Sequence, residues 1–333
     1  MMNANYLKYF PTKFNNLTSE IYFIETNVDE LKNFPFHDDR FSRNKKIIKK
    51  QKFNEIVDFD SQVSFVFHTS FCGSTFLAKL LGETGGFCSI REPEIFSDLS
   101  NKIRVNSLFI NDKELTKTWI KRSIASFMPL RSQGELLLVK PTNVANNLIP
   151  YIIDAFPSSR MVLLYGSLEG FLLSILKKGE KGKAFVRKLY NVLTYDESPF
   201  VLEDFRLANS YTDLQIACLV WCMQASVYSK LTRFNNIRFL DADSFLNKQR
   251  KTLRKVSNFL GYKLSKSRIK ELSSQGVFDI HSKLKVKFSL KKREKENLIV
   301  REKYKNEIDE ILLWSDSVLA KPNFLKSNNH LLD

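Results

Sequence analysis

The chain has 333 residues, 43% of them hydrophobic, with 28 phenylalanines and a formal charge of +16, enough apolar side chain to bury a sizeable core and too much for wholesale disorder. No apolar run approaches the ~20 residues that a membrane span needs. Four scattered cysteines, Cys72, Cys88, Cys218 and Cys222, exclude a disulfide framework. The opening MMNANYLKYFPTKFNNL holds no continuous apolar segment of the secretory type, so the chain is expected in a reducing cytoplasm.

Residues 1–60 read as a lead-in of short apolar pieces closed by the basic KKIIKK run of Lys45–Lys50, with no evident chemistry. The core begins near Gln62. Val63, Phe65 and Phe67 alternate as a buried strand does. A Ser70-Phe71-Cys72-Gly73-Ser74-Thr75 turn follows, then Phe76, Leu77, Leu80 and Leu81 at helical spacing. Strand, glycine turn and helix point backbone N–H groups at an anion, and the hydroxyls of Ser70, Ser74 and Thr75 add donors. The stretch is not a Walker A loop, since no lysine stands in the turn. An ordinary strand-turn-helix with a glycine at positive φ is the equal alternative.

Phe87–Ile90 is a second strand, ending in Arg91-Glu92-Pro93-Glu94 where Pro93 stops the ladder. Residues 112–128 have helical period. Leu136–Val139 is a third strand, unbroken in apolarity as buried parallel strands are, and ends in Lys140-Pro141-Thr142-Asn143. Asn143 is the expected N-cap of a helix over 144–155. Met161–Leu164 is a fourth strand, followed by a helix over 168–177. Residues 180–210 show no clear pattern. A long helix spans 211–234. Its Cys218 and Cys222 stand one turn apart without further ligands, which favours core packing over metal. Ile237–Leu240 is a fifth strand, ending in Asp241-Ala242-Asp243. A helix over 245–260 stops at Gly261, a short one covers 265–273, and a last one runs from about 290 to 318.

Strands alternating with helices predict an α/β fold, a three-layer sandwich with a parallel sheet of about five strands and helices on both faces. Ligands of such sheets bind beyond the carboxyl ends of the strands. The polar clusters at Ser70–Thr75, Arg91–Glu94, Lys140–Asn143 and Asp241–Asp243 all follow strands. From Lys248 to Lys305 there are 19 Lys and Arg against 5 Asp and Glu, a net of +14, so nearly all the excess charge lies in one segment that draws anions. A solvated helix surface is the equal alternative for most of those lysines. They lack the interleaved aromatics of a single-strand binder, which makes nucleic acid an unlikely partner.

GSTFLAKLL at Gly73–Leu81 resembles the start of bacterial sulfotransferases, where a P-[RK]-S-G-[ST]-T turn precedes L-x-A-R-L-L. FPSSRMVLLYGSLEGFLLSILKKG at Phe156–Gly179 is similar to that family's second cofactor motif. Phe239–Leu272 is similar to its E-D-L…FLGL segment. The resemblance covers about residues 64–315 and implies a P-loop NTPase-like fold. With no internal repeat or dividing linker in the core, the chain is read as one sulfotransferase-like α/β domain over 61–320 carrying the basic segment 248–305, and a tail over 321–333. The resemblance further implies sulfuryl transfer from 3′-phosphoadenosine 5′-phosphosulfate (PAPS) to a hydroxyl or amine of a small-molecule or carbohydrate acceptor, without a metal. In-line displacement of this kind needs positioned donors for the developing oxygens and a base for the acceptor proton.

By the same resemblance, the turn Ser70, Phe71, Cys72, Gly73, Ser74 and Thr75 holds the 5′-phosphosulfate. Lys140 reaches the bridging oxygen, and Ser174 contacts the 3′-phosphate. Glu92 is the first candidate for the base and Glu94 the second. His68 reads as a packed histidine. Two departures stand out: Phe71 replaces the turn's usual cation, and Gly166 replaces the Arg eight residues before Ser174. Lys283 and Lys285 in the HSKLKVK run are the expected source of the lost charge. A catalytically degenerate relative that binds a nucleotide or anionic partner is the alternative. A P-loop kinase is disfavoured, because Asp241 and Asp243 read better as a strand-end turn and cap.

Overall fold

A computed structural model of the chain describes residues 7–15, 18–57, 62–106, 109, 111–196, 209–279, 290–319 and 322–331. The stretch read as a lead-in forms a three-stranded antiparallel sheet, β1 (Lys8–Asn15), β2 (Glu20–Thr26) and β3 (Ile47–Lys52), in that order. Ile21 and Phe23 of β2 are buried on the period of two that marks a half-buried strand. The Ile47–Lys50 part of the KKIIKK run opens β3, an edge strand whose lysines discourage pairing with another chain. Between β2 and β3 lie α1 (Val28–Asn33), capped by Asn27, and α2 (Asp39–Ser42), capped by Asp38.

The second sheet has five strands: β4 (Val63–His68), β5 (Phe87–Arg91), β6 (Leu136–Lys140), β7 (Arg160–Tyr165) and β8 (Ile237–Asp241). Their order is β5-β6-β4-β7-β8. β4 and β5 both run parallel to β6, with Phe65 opposite Val139 and Arg91 opposite Lys140. This is the α/β fold with a five-stranded parallel sheet that the strand–helix alternation predicts. Every residue of β4 and β5 is buried, Ser64 and Ser89 included, so both faces of these strands are covered and not only the face that Val63, Phe65 and Phe67 mark. The order runs both ways from β4, so the turn after β4 begins where an open sheet reverses.

The helices after β4 are α3 (Ser74–Glu83), α4 (Glu94–Val105), α5 (Lys113–Ala125), α6 (Ile149–Ala155), α7 (Leu168–Lys177) and α8 (Glu180–Leu193). There follow α9 (Asp213–Ser229), α10 (Ala242–Asn247), α11 (Gln249–Phe259), α12 (Lys266–Ser274), α13 (Leu290–Lys303) and α14 (Lys305–Val318). Three depart from expectation. The helix expected over 144–155 is a 3₁₀ segment over Asn143–Leu148 and then α6, and Asn143 is not its cap. Pro150 has no N–H to give, so α-helical bonding restarts around it. The helix expected over 245–260 is two, broken at Lys248, and the last helix is broken at Tyr304. α8 lies where no pattern was seen, yet Val186, Leu189, Tyr190 and Leu193 are its buried stripe at helical spacing.

The chain divides into two compact units. The first comprises Met1–Phe67, Ser74–Val162 and Arg250–Val286; the second comprises His68–Gly73, Leu163–Gln249 and Lys287–Asp333. Cys218 and Cys222 are buried in α9, and burial pushes the Cys222 thiol up to about 12 and the Cys218 thiol higher still, so both act as core side chains. No helix among the described residues is long and apolar enough to cross a membrane.

Candidate functional site

In the first unit, the pairing of β5 with β6 sets Arg91 opposite Lys140 at the strand ends. The next backbone step continues the ladder, with the Glu92 N–H donating to the Lys140 carbonyl at 2.6 Å. That bond holds Glu92 at φ +53, a left-handed conformation that a residue with a Cβ adopts only at a cost of about 1–2 kcal/mol. Its carboxylate then accepts from the Lys140 ammonium. Lys140 is fully buried, and Glu92 is the single partner of its ammonium among the described residues, which leaves two of three N–H donors unused. The other Glu92 oxygen faces Arg40 at 3.9 Å.

Arg40 is held by Asp38 and lies over the Phe36 ring, 3.8 Å from its centroid. Asp38 first, and then Glu92, raise its already high pKa against the effect of burial. Nothing in the sequence marks Arg40, because it stands in a stretch without a recognisable motif.

Arg91 does not pair with Glu92. Its guanidinium donates to the carbonyls of Leu31, Lys32 (3.2 Å) and Phe34 (2.7 Å), which are free at and beyond the end of α1, and to Ser89 (3.1 Å). Burial lowers its pKa to about 10. His37 completes the bolt: its Nδ1 accepts from the Arg91 N–H at 3.0 Å, and its Nε2 bonds the Leu31 carbonyl at 3.0 Å. Burial first, then Arg91, hold the imidazole well below its usual 6.5, so it is neutral.

Among the described residues Glu94 forms no ion pair with Lys140. It opens α4, and burial first and Asp98 second raise its pKa. Ser74 and Thr75 open α3 and are buried.

In the second unit, the turn His68–Gly73 is tied down at Thr69, Ser70 and Cys72. The Thr69 N–H donates to the Leu164 carbonyl (3.1 Å), and the Ser70 N–H to His68 Nδ1 (3.1 Å). Cys72 Sγ donates to the Leu164 carbonyl (3.6 Å). His68 is thus a packed, bonded histidine, as its place in the sequence predicts. Ser70, Phe71 and Gly73 take φ values of +71, +50 and +82. The Ser70 hydroxyl is buried with no hydrogen-bond partner among the described residues.

Phe71 stands where the resemblance implies a cation, its ring against Phe185 (5.3 Å between centroids) and Phe171 (5.8 Å), with the Lys178 ammonium 5.4 Å from its centroid. Gly166 is clamped. Its N–H donates to Thr69 Oγ1 (3.3 Å) and its carbonyl accepts from Trp221 Nε1 (2.9 Å). The Ser174 hydroxyl turns back onto the Gly170 carbonyl of its own helix at 2.9 Å. Lys283 and Lys285 lie outside the described residues.

No family model matches the chain, and no curated protein sequence matches it. Solved structures do. The sulfotransferase domain from the curacin biosynthetic pathway is 11% identical, covering 64% of this chain and 77% of that one at a TM-score of 0.40. The sulfotransferase from Alicyclobacillus acidocaldarius is 13% identical, covering 68% and 95% at 0.36. Retinol dehydratase in complex with androsterone and inactive cofactor PAP is 14% identical, covering 96% and 99% at 0.34. Similarity at this level assigns no residue a role.

Proposed function

We propose that this chain is a sulfotransferase-like enzyme that binds PAPS and passes its sulfuryl group to a hydroxyl or amine. The observation that carries the reading is the turn after β4. Ser70 and Phe71 are held in left-handed backbone, and the Ser70 hydroxyl is buried without a partner. An unsatisfied buried hydroxyl costs about 1–3 kcal/mol, and an anion accepting from it removes that cost. Ser70–Thr75 would hold the 5′-phosphosulfate and Ser174 the 3′-phosphate. When bound, PAPS supplies a sulfuryl group on a phosphate leaving group. Lys140, with two unused donors, stabilises negative charge developing on an oxygen, and Glu92 takes the acceptor proton. Lys178 is the cation that the second unit brings beside Phe71.

A binding-only protein is the second reading, favoured by the Phe71–Phe171–Phe185 cluster in place of a turn cation. Thermal unfolding with PAP, AMP and ATP tests the cofactor. PAP at 100 times its dissociation constant adds ~2.7 kcal/mol, and Ser70→Ala reduces that gain. No shift with PAP refutes the cofactor assignment. A PAP shift without sulfate transfer to a broad acceptor panel, in the native protein as in Glu92→Gln, favours binding alone.

A further inference from the structure

The first unit carries a second feature that the turn and the Lys140 pair do not use. α11 sorts its residues cleanly: Thr252, Leu253, Val256 and Ser257 are buried, while Arg250, Lys251, Arg254 and Lys255 line the outer side. Arg250 and Arg254, like Lys251 and Lys255, are four residues apart and so adjacent on the helix surface, about 6 Å along its axis. Lys266 and Ile269 of α12 face them across a groove of about 430 Å³.

Five cations therefore surround one concavity, with no acid among its lining residues. None of the five forms an ion pair with an acid among the described residues. Elsewhere in the chain exposed cations do find acids, as Arg43 finds Asp39, Lys177 finds Glu296 and Arg268 finds Glu271. In this groove like charges repel along a helix face, and an anionic ligand would relieve that repulsion.

The lining also says what kind of ligand. It has aliphatic stems and one isoleucine but no aromatic face, so bases have nothing to stack on. No large exposed apolar side chain lies on α11 or α12, so nothing there inserts into a bilayer. The cations repeat at about 6 Å along a row, and arginine's fork fits phosphate with two bonds at once. We infer that the groove between α11 and α12 is a binding site for a compact polyphosphate, a ligand presenting at least three phosphate groups in a short string. The inference stands apart from the PAPS reading and uses none of its residues.

Isothermal titration of the full chain with inorganic tripolyphosphate, inorganic phosphate and a single-stranded oligonucleotide tests it. Tripolyphosphate is expected to bind one to one, at least 100-fold more tightly than inorganic phosphate, and to weaken steeply with salt. Arg254→Glu is expected to weaken it about tenfold or more, as loss of one charged hydrogen bond does. Lys263→Glu makes the same change of net charge at an exposed residue that does not line the groove, and is expected to weaken binding at least threefold less than Arg254→Glu, since it removes no contact to the ligand. Urea unfolding of both variants confirms that the buried side of α11 is intact. Equal loss in both variants would show general charge attraction and overturn the site. Tripolyphosphate no tighter than phosphate, or tighter binding of the oligonucleotide, would overturn it as well.

Discussion

The Lys140–Glu92 pair predicts an asymmetry in stability that an ordinary ion pair would not show. Lys140 is fully buried, while the Glu92 side chain is 17% exposed and has Arg40 as a second cation. Glu92→Gln keeps the shape but leaves a buried ammonium without a counter-charge, a situation that costs about 3–5 kcal/mol. Lys140→Met leaves a carboxylate that still reaches water and Arg40, and should cost no more than about 2 kcal/mol. The double variant removes both charges, and should return to within about 1 kcal/mol of the native protein or exceed it. Urea unfolding of the four proteins, read as a double-mutant cycle, measures all three differences. The reasoning fails if Lys140→Met is the more damaging single change, or if the double variant is as unstable as Glu92→Gln. In the first case the lysine stem would be packing the strand end. In the second, the ammonium's two unused donors would have partners that the pair does not account for.

Two further outcomes follow from groups outside the pair. His37 has its folded pKa depressed by burial and Arg91, so its contribution to stability is present above the unfolded value near 6.5 and is lost as pH falls below it. The slope is up to ~1.4 kcal/mol per pH unit. His37→Gln should flatten that part of the pH profile of urea unfolding, and an unchanged slope would show that the imidazole is not the titrating group. In α8, a Cβ on Gly182 would stand 2.2 Å from the Ile175 carbonyl oxygen of α7. Gly182→Ala gains about 1 kcal/mol of helix propensity, but must part the two helices. A net loss of about 1–3 kcal/mol in thermal unfolding is expected, and a net gain would show that α7 and α8 yield freely.

The five strands were legible because each is a short, mostly apolar run, four of them with a polar cluster behind, and burial on both faces lets a run such as that of β6 go unbroken. The N-terminal sheet was not, since Leu7–Asn15 and Glu20–Thr26 mix apolar residues with Lys, Glu and Thr, and β3 is all but exposed. The pairing of Glu92 was foreseeable as a carboxylate beside cations, yet its partner was not. Arg91 is adjacent in sequence but reaches back to the carbonyls after α1, while Lys140 arrives through the β5–β6 register 48 residues on. Sequence distance carries no information about which of two cations a strand end will meet. The breaks at Lys248 and Tyr304 left no glycine or proline to mark them, whereas Pro150 was visible and its effect on the 3₁₀ segment could have been drawn.

Backbone strain gives the strongest reason to seek a ligand at the turn. Among the described residues four non-glycines have positive φ, and three of them are Ser70, Phe71 and Glu92. Each costs on the order of 1–3 kcal/mol, and such conformations persist only where the surroundings over-determine them. The surroundings do so: Thr69, Ser70 and Cys72 are each bonded to His68 or Leu164, and Glu92 is bonded through both its backbone and its side chain. Set against a typical total stability of about 5–15 kcal/mol, that strain is not incidental. A turn that merely joined β4 to α3 would relax if Ser70 were replaced by glycine, since its hydroxyl has no partner among the described residues, whereas Phe71 also packs on Phe171 and Phe185. If the turn holds an anion instead, the same replacement at Ser70 removes the hydroxyl that the ligand satisfies. Ser70→Gly should therefore stabilise the free protein and weaken its response to PAP, and only the second effect separates a strained connector from a strained site.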